Sequence, residues 1–274
     1  MNLPGSVSED LLVEIERTAV ELAQLAGAEI LAALGGMLSV RYKTGTGDDD
    51  LKNPVSEVDH RVEVLIRARL AERFPGHDII GEELDERSGR DDDFVWAVDP
   101  IDGTTNFVNG FPLFAATIGV LHRGEPVAGA TWCTTGHAIR AGVYHAHRGA
   151  PLLFDGQPVH RTDNADVRRR LAGVPRAGDV EGPFDTRKTG SAAVECAFVA
   201  AGPLTLARFD NVNLWDIAGG VALVQASGGQ VRIFHDNAWQ PLERFEAPDL
   251  RNWRRPMIIG HTDAVETFVA KLAA

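Results

Sequence analysis

Phe94-Val95-Trp96-Ala97-Val98-Asp99-Pro100-Ile101-Asp102-Gly103-Thr104-Thr105-Asn106 passes from an unbroken apolar run to a turn crowded with side-chain oxygens. The run reads as a buried strand. Pro100 and Gly103 force the chain out of it, so Asp99 and Asp102 emerge together at the end of a sheet. Paired carboxylates at a turn serve, at their plainest, as turn and helix-cap residues. The neighbours point further. Gly103 allows the backbone close to a ligand, and the N–H groups of Gly103, Thr104 and Thr105 would open a helix or nest able to hold an anion. Carboxylates beside such a nest would repel a phosphate unless a cation lay between them, so the segment predicts a metal-bridged phosphate site.

Upstream, a shorter apolar stretch at 78–80 runs into Gly81-Glu82-Glu83. If this strand pairs with the one ending at Asp99, Glu82 and Asp99 share one rim. Before it, Pro54, Ser56 and Asp59 announce a helix that carries Val58, Val62, Leu65, Ile66 and Leu70 to the core and stops at Phe74-Pro75-Gly76. The polar loop from Gly45 to Asp50 separates it from a long amphipathic helix over Ser6 to Leu34, in which Ser6 and Glu9 have capping-box spacing. Downstream, residues 113–121, 126–134 and 138–144 read as an antiparallel meander. After Gly156, strands near 171–174, 204–209, 229–234 and 257–261 alternate with helices near 190–201, 215–227 and 263–273. That pattern predicts two closely packed lobes: an α+β lobe over 1–155 with an antiparallel sheet and most of the metal ligands, and an α/β lobe over 156–274.

The chain has 274 residues, of which 44% are hydrophobic, enough for a sizeable core and incompatible with general disorder. Its 27 Lys and Arg against 39 Asp and Glu give a net charge of −12, which disfavours nucleic acid or an anionic membrane as a partner. The surplus carboxylates are compatible with a divalent cation at the working site. Cys133 and Cys196 stand far apart in apolar runs and read as buried, inert thiols. The N-terminus lacks a basic start followed by an apolar stretch, and no run reaches the roughly 18–20 apolar residues of a membrane span, so a cytoplasmic protein is expected. Arg168-Arg169-Arg170 reads as solvated surface.

Asp216, after Trp215 and before the apolar residues Ile217, Ala218 and Val221, reads at its plainest as a helix N-cap. Hard oxygen ligands with no converging His or Cys imply magnesium or manganese rather than zinc. Neither GxGxxG after a strand nor GxxxxGK[ST] occurs. A DxDx[TV] aspartyl-nucleophile phosphatase is also disfavoured, because two residues separate Asp99 from Asp102.

Four segments resemble the signature blocks of the inositol monophosphatase family, in the family's order: Lys52-Asn53-Pro54-Val55-Ser56-Glu57-Val58-Asp59, Gly81-Glu82-Glu83, Trp96 through Phe107, and Trp215-Asp216-Ile217-Ala218-Gly219-Gly220. The resemblance implies a layered αβαβα sandwich of the inositol monophosphatase and fructose-1,6-bisphosphatase type. It also implies a homodimeric, lithium-sensitive, Mg²⁺-dependent phosphomonoesterase using two or three ions, with Mn²⁺ a possible substitute. Carried over, Glu82, Asp99 and the Ile101 carbonyl would hold one metal, and Asp99, Asp102 and Asp216 a second, with Glu82 near the water shell of a third. Asp102 would also border the substrate. Thr104, hydrogen-bonded to Asp59, would help deprotonate the attacking water. The N–H groups of Gly103 and Thr104 would take the phosphate.

Gly190-Ser191-Ala192-Ala193 resembles the segment bordering the substrate's leaving group, although a helix cap accounts for Ser191 equally well. Counted back without gaps from Asp216, the position where inositol phosphatases carry a glutamate for the sugar hydroxyls is Phe209, flanked by Arg208 and Asp210. That departure turns the expectation from inositol phosphate toward other small monoesters: sugar phosphates, fructose bisphosphate, histidinol phosphate or phosphoadenosine phosphate. A regulatory, protein-binding role, known for some family members, is the alternative of another kind.

Overall fold

The computed structural model describes residues 7–34, 36, 40–42, 54–86, 93–161, 166–167, 169–176, 184–246 and 250–272. Helix α1 (Glu9–Ala33) is capped by Ser8, whose side chain accepts from the Leu11 amide; the expected Ser6 cap lies outside the described residues. Strand β1 (Val40–Tyr42) pairs antiparallel with β2 (Pro54–Ser56), which leads into α2 (Glu57–Arg73). Ser56 and Asp59, which announced this helix in the sequence, form a capping box at its start.

The first sheet comprises β3 (Asp78–Gly81), β4 (Phe94–Asp102), β5 (Ala115–His122), β6 (Glu125–Cys133), β7 (Gly142–His147), β8 (Leu153–Phe154) and β9 (Gln157–Pro158), side by side in chain order. Only β3 and β4 run parallel; the rest form an antiparallel meander. Helix α3 (Thr104–Val108) interrupts it after β4. The third meander strand begins at Gly142 and not near 138, because Gly136 to Arg140 close a turn through the Gly136 amide and the Arg140 carbonyl.

The second sheet holds β10 (Arg170–Gly173), β11 (Phe184–Arg187), β12 (Leu206–Val212), β13 (Gln230–His235), β14 (Ala238–Pro241) and β15 (Arg255–Gly260) in the order β11-β10-β12-β15-β13-β14. Helix α4 (Ala192–Ala201) connects β11 to β12, two strands that flank β10 and run parallel to it. Helix α5 (Leu214–Ala226) follows β12 and helix α6 (Thr262–Leu272) follows β15.

Three apolar cores stack these elements into five layers. Helices α1 and α2 bury Ile15, Leu22, Ile30, Val62 and Ile66 against Trp96, Ile118 and Val120 on one face of the first sheet. A second core joins that sheet's other face to α4, α5 and the second sheet through Ala97, Val199, Ile217, Val221 and Met257. The third seats Val265 and Phe268 of α6 on Leu206 and Ile258. The result is the αβαβα sandwich expected.

Close approach explains the glycines of the layers. A Cβ on Gly119 would lie 2.3 Å from the Gly219 nitrogen, and one on Gly129 2.3 Å from the Gly219 oxygen. Gly119 and Gly129 face each other across β5 and β6, so α5 rests on a side-chain-free patch of the sheet. On α2, Leu65 is 36% exposed, against expectation, whereas Glu63 is fully buried. Among the described residues, no helix is long and apolar enough to cross a membrane.

Candidate active site

Parallel pairing sets Gly81 opposite Val98, and the Glu82 amide donates to the Val98 carbonyl at 3.3 Å. Glu82 and Asp99 therefore leave neighbouring strand ends, as adjacent pairing required. The register of β4 against β5 slips between Asp99 and Asp102, and the Ile101 amide donates to Asp99 Oδ1 at 3.0 Å. Gly103 then takes φ = 88°, a left-handed conformation that glycine adopts without the cost a Cβ brings, and starts α3. Its N–H and those of Thr104 and Thr105 find no acceptor among the described residues.

Asp59 enters from the first turn of α2. It is fully buried, and its Oδ2 accepts the Ser56 amide at 2.9 Å and the Ser56 hydroxyl. Thr104 Oγ lies 3.2 Å from Asp59 Oδ1 and 2.9 Å from the Ile101 carbonyl oxygen. A threonine has one hydroxyl proton, so it cannot donate to both. Burial, reinforced by the charges of Glu83 and Glu82, pushes the Asp59 pKa up to about 7. A protonated Asp59 can then donate to Thr104 while Thr104 donates to Ile101; once ionised, Asp59 competes for the threonine proton.

Asp216 arrives on α5 as the third residue of a capping box. Asn213 is the cap, not Asp216, and its amide and side-chain nitrogens both reach Asp216 Oδ2 at 2.9 Å. Asp102 is held from the start of α4: its Oδ2 accepts Ser191 Oγ at 2.6 Å and the Ala193 amide at 2.5 Å. Ser191 also caps α4 through the Val194 amide. Asn106 ties the same junction, donating to the Leu113 carbonyl at 2.6 Å and the Thr189 carbonyl at 2.8 Å.

These carboxylates act on one another. Burial and then the charges of Glu82, Asp102, Asp216 and Asp59 raise the Asp99 pKa well above the carboxylate range. Burial and Asp216 raise that of Asp102 against the opposing pull of Ser191 and Ala193. Burial likewise raises that of Asp216. A desolvated group of anions can be relieved by protonation or by a cation, and its donors, all oxygen, suit a hard divalent ion. Among the described residues no three Asp, Glu, His or Cys side chains close into a ready metal cage. One oxygen each of Asp99, Asp102 and Asp216 is tethered to a neighbouring N–H or O–H, and the Asp99 and Asp216 carboxyls are hydrogen-bonded to each other, a contact that a bound cation would replace.

Beside Ser191 lies an open cavity of about 150 Å³, lined in part by Lys188, Ala192, Glu195, Arg208 and Phe209. Ser191, Ala192 and Phe209 thus line one cavity. Asp210 is turned to the Arg208 guanidinium at 2.8 Å.

The supports of the Glu82 loop were not foreseen. Glu63 accepts the amides of Glu83 at 2.7 Å and Leu84 at 3.2 Å and pairs with Arg67 at 2.8 Å. From the segment before β15, Arg251 donates to the Gly81 carbonyl at 2.7 Å and stacks on Trp215. Glu63 had a legible signal, since 59, 63, 66 and 70 form one helical stripe and a glutamate there is a polar residue in a core position. Lys188 and Arg251 had none.

A five-layer sandwich thus gathers buried carboxylates, and backbone amides unpaired among the described residues, at the ends of two parallel strands. The chain belongs to the inositol monophosphatase family, which it matches over residues 11–258, and so to a family of phosphomonoester hydrolases. It is 31% identical to a chloroplastic phosphatase of Arabidopsis thaliana over 83% of this chain and 63% of that protein, slightly under two thirds of its length. It is 35% identical to the Nus factor SuhB of Pseudomonas aeruginosa over 68% of this chain and 74% of that protein. Its fold is similar to the crystal structure of the extragenic suppressor protein SuhB of Bartonella henselae, with a TM-score of 0.74 at 24% identity over 94% of this chain and 97% of that one.

Proposed function

We propose that the protein hydrolyses a small phosphate monoester by attack of water, without a phosphoenzyme, in a magnesium-dependent reaction. The observation that carries this reading is the group of buried Asp59, Asp99 and Asp102 with half-buried Asp216, standing beside the amides of Gly103, Thr104 and Thr105, which are unpaired among the described residues. The amides suit the phosphate, and the carboxylates would repel it without a cation between them. Glu82, Asp99, the Ile101 carbonyl, Asp102 and Asp216 would hold the ions, which when bound supply charge for the phosphoryl group and acidify a bound water.

The chain's own residues do the rest. Asp59 holds Thr104, whose hydroxyl can orient the water and pass its proton toward Oδ1. Ser191 and the Ala193 amide fix Asp102, so the leaving-group wall and a metal ligand move as one piece. Phe209 offers no acceptor for ring hydroxyls, which disfavours inositol phosphate. The test is phosphate release from a panel of monoesters, including inositol 1-phosphate, with magnesium and with excess chelator. Release that magnesium supports and chelator stops is expected; no release from any ester would overturn the reading. In that event the kinship to a Nus factor would make a regulatory protein contact the better account.

A further inference from the structure

The cavity beside Ser191 sits where ligands commonly bind in α/β sheets, beyond the carboxyl ends of parallel strands. Val174 and Pro175, following β10, and Lys188, following β11, line it, and α4 starts at its wall. Its charge departs from that of the chain as a whole, which is −12. Arg208 spends one nitrogen on Asp210, and its Nε–H is buried with no hydrogen-bond partner among the described residues. A buried donor without an acceptor is costly, and a ligand anion that drew the guanidinium toward the cavity would relieve it. Lys188 lines the same cavity and makes no hydrogen bond or ion pair among the described residues. Glu195 is the one carboxyl in the lining. Its Oε1 accepts the Thr189 amide and hydroxyl, and burial raises its pKa to about 7, so near neutrality it is part-protonated and offsets less than one of the two positive charges.

We propose that this cavity selects substrates whose leaving group carries a second anionic group, a carboxylate or a phosphate, received by Arg208 and Lys188. The inference rests on the phosphatase reading and sharpens it. Phe209 removes the acceptor a polyol needs, and the two cations supply donors for an acid in the same space.

Two matched pairs of esters test it: glycerol 2-phosphate against 2-phosphoglycerate, which adds a carboxylate, and fructose 1-phosphate against fructose 1,6-bisphosphate, which adds a phosphate. The wild-type protein with magnesium should favour the anionic member of at least one pair by about tenfold in kcat/KM, well above the twofold statistical advantage of a bisphosphate. The pair that responds identifies the acid. Arg208→Gln should shrink that ratio to about threefold or less, and so should Lys188→Met, whose exposed position leaves folding out of question. Phosphate release with no anionic preference in either pair would overturn this proposal and leave the phosphatase reading intact. So would a preference that neither substitution alters. Absence of release from all four esters and from inositol 1-phosphate would overturn the phosphatase reading and this proposal with it.

Discussion

Replacing Glu195 by glutamine should change the pH dependence of stability by an amount the structure sets. Glu195 is 5% exposed, and its Oε1 accepts the Thr189 hydroxyl at 2.7 Å and the Thr189 amide at 3.3 Å. Burial outweighs those bonds and raises its pKa from 4.5 to about 7. The folded protein therefore binds this proton more tightly than the unfolded chain. Its stabilising contribution is complete below about pH 4.5 and is lost as the pH rises to 7. At 1.36 kcal/mol per pKa unit the loss amounts to roughly 3 kcal/mol, an upper bound for a group that can relax toward water. Glutamine keeps the acceptor and removes the titration. The difference in unfolding free energy between Glu195→Gln and wild type should thus rise in favour of the variant by roughly 3 kcal/mol between pH 4.5 and 8. Any constant penalty for the new amide adds equally at every pH. The assay is urea denaturation at half-unit steps of pH. None of the carboxylates at the strand ends acts on Glu195, so their titrations cancel in the difference. A difference that stayed level within 0.5 kcal/mol, the usual scatter for independent effects, would refute the account of this carboxyl.

Asp99→Asn should abolish magnesium-supported phosphate release yet raise the melting temperature in chelator, because the amide cannot ionise where burial and the neighbouring anions oppose a charge; activity near wild type at saturating magnesium would sink the metal assignment. Thr104→Ala should lower kcat by about 10²- to 10⁴-fold with little change in the magnesium needed for half-activation, since the hydroxyl serves the water and not the ion. A kcat within a factor of two would end the role given to Thr104 and Asp59. Inositol 1-phosphate should trail the best ester of the panel by about tenfold in kcat/KM, and finding it the best would return the hydroxyl-binding role to this site.

Much of the fold was legible because apolar spacing reports which face a segment buries. The stripes of α1 and α2, the two parallel strands that bring out Glu82 and Asp99, and the helix–strand alternation after β9 all followed from it. Where that signal is short or mixed it misleads. Leu65 matches the apolar period of α2 but points to solvent, while Glu63 occupies the buried position because the amides of Glu83 and Leu84 and the Arg67 guanidinium satisfy its carboxylate. Strand β11 was invisible in the sequence: Phe184–Arg187 has one buried residue and gains its identity only from pairing with β10.

The site divides along the same line. Asp99 and Asp102 could be read together because a strand end and two turn residues confine them, and Glu82 because one parallel pairing brings it alongside. The pairing of Asp102 with Ser191 spans 89 positions and depends on α4 starting against the first sheet, a relation no local pattern encodes. The cavity is more remote still. Lys188 and Arg208 meet only because a parallel crossover from β11 to β12 passes over β10 and leaves the ends of the strands open. The carboxylates thus belong to segments whose local chemistry announces itself, whereas the residues that would choose the leaving group are assembled by topology. A substitution such as glutamate to phenylalanine at 209 can then shift the substrate without touching the groups proposed to perform the hydrolysis, which is why kinship to phosphatases identifies the reaction of this chain more firmly than its substrate.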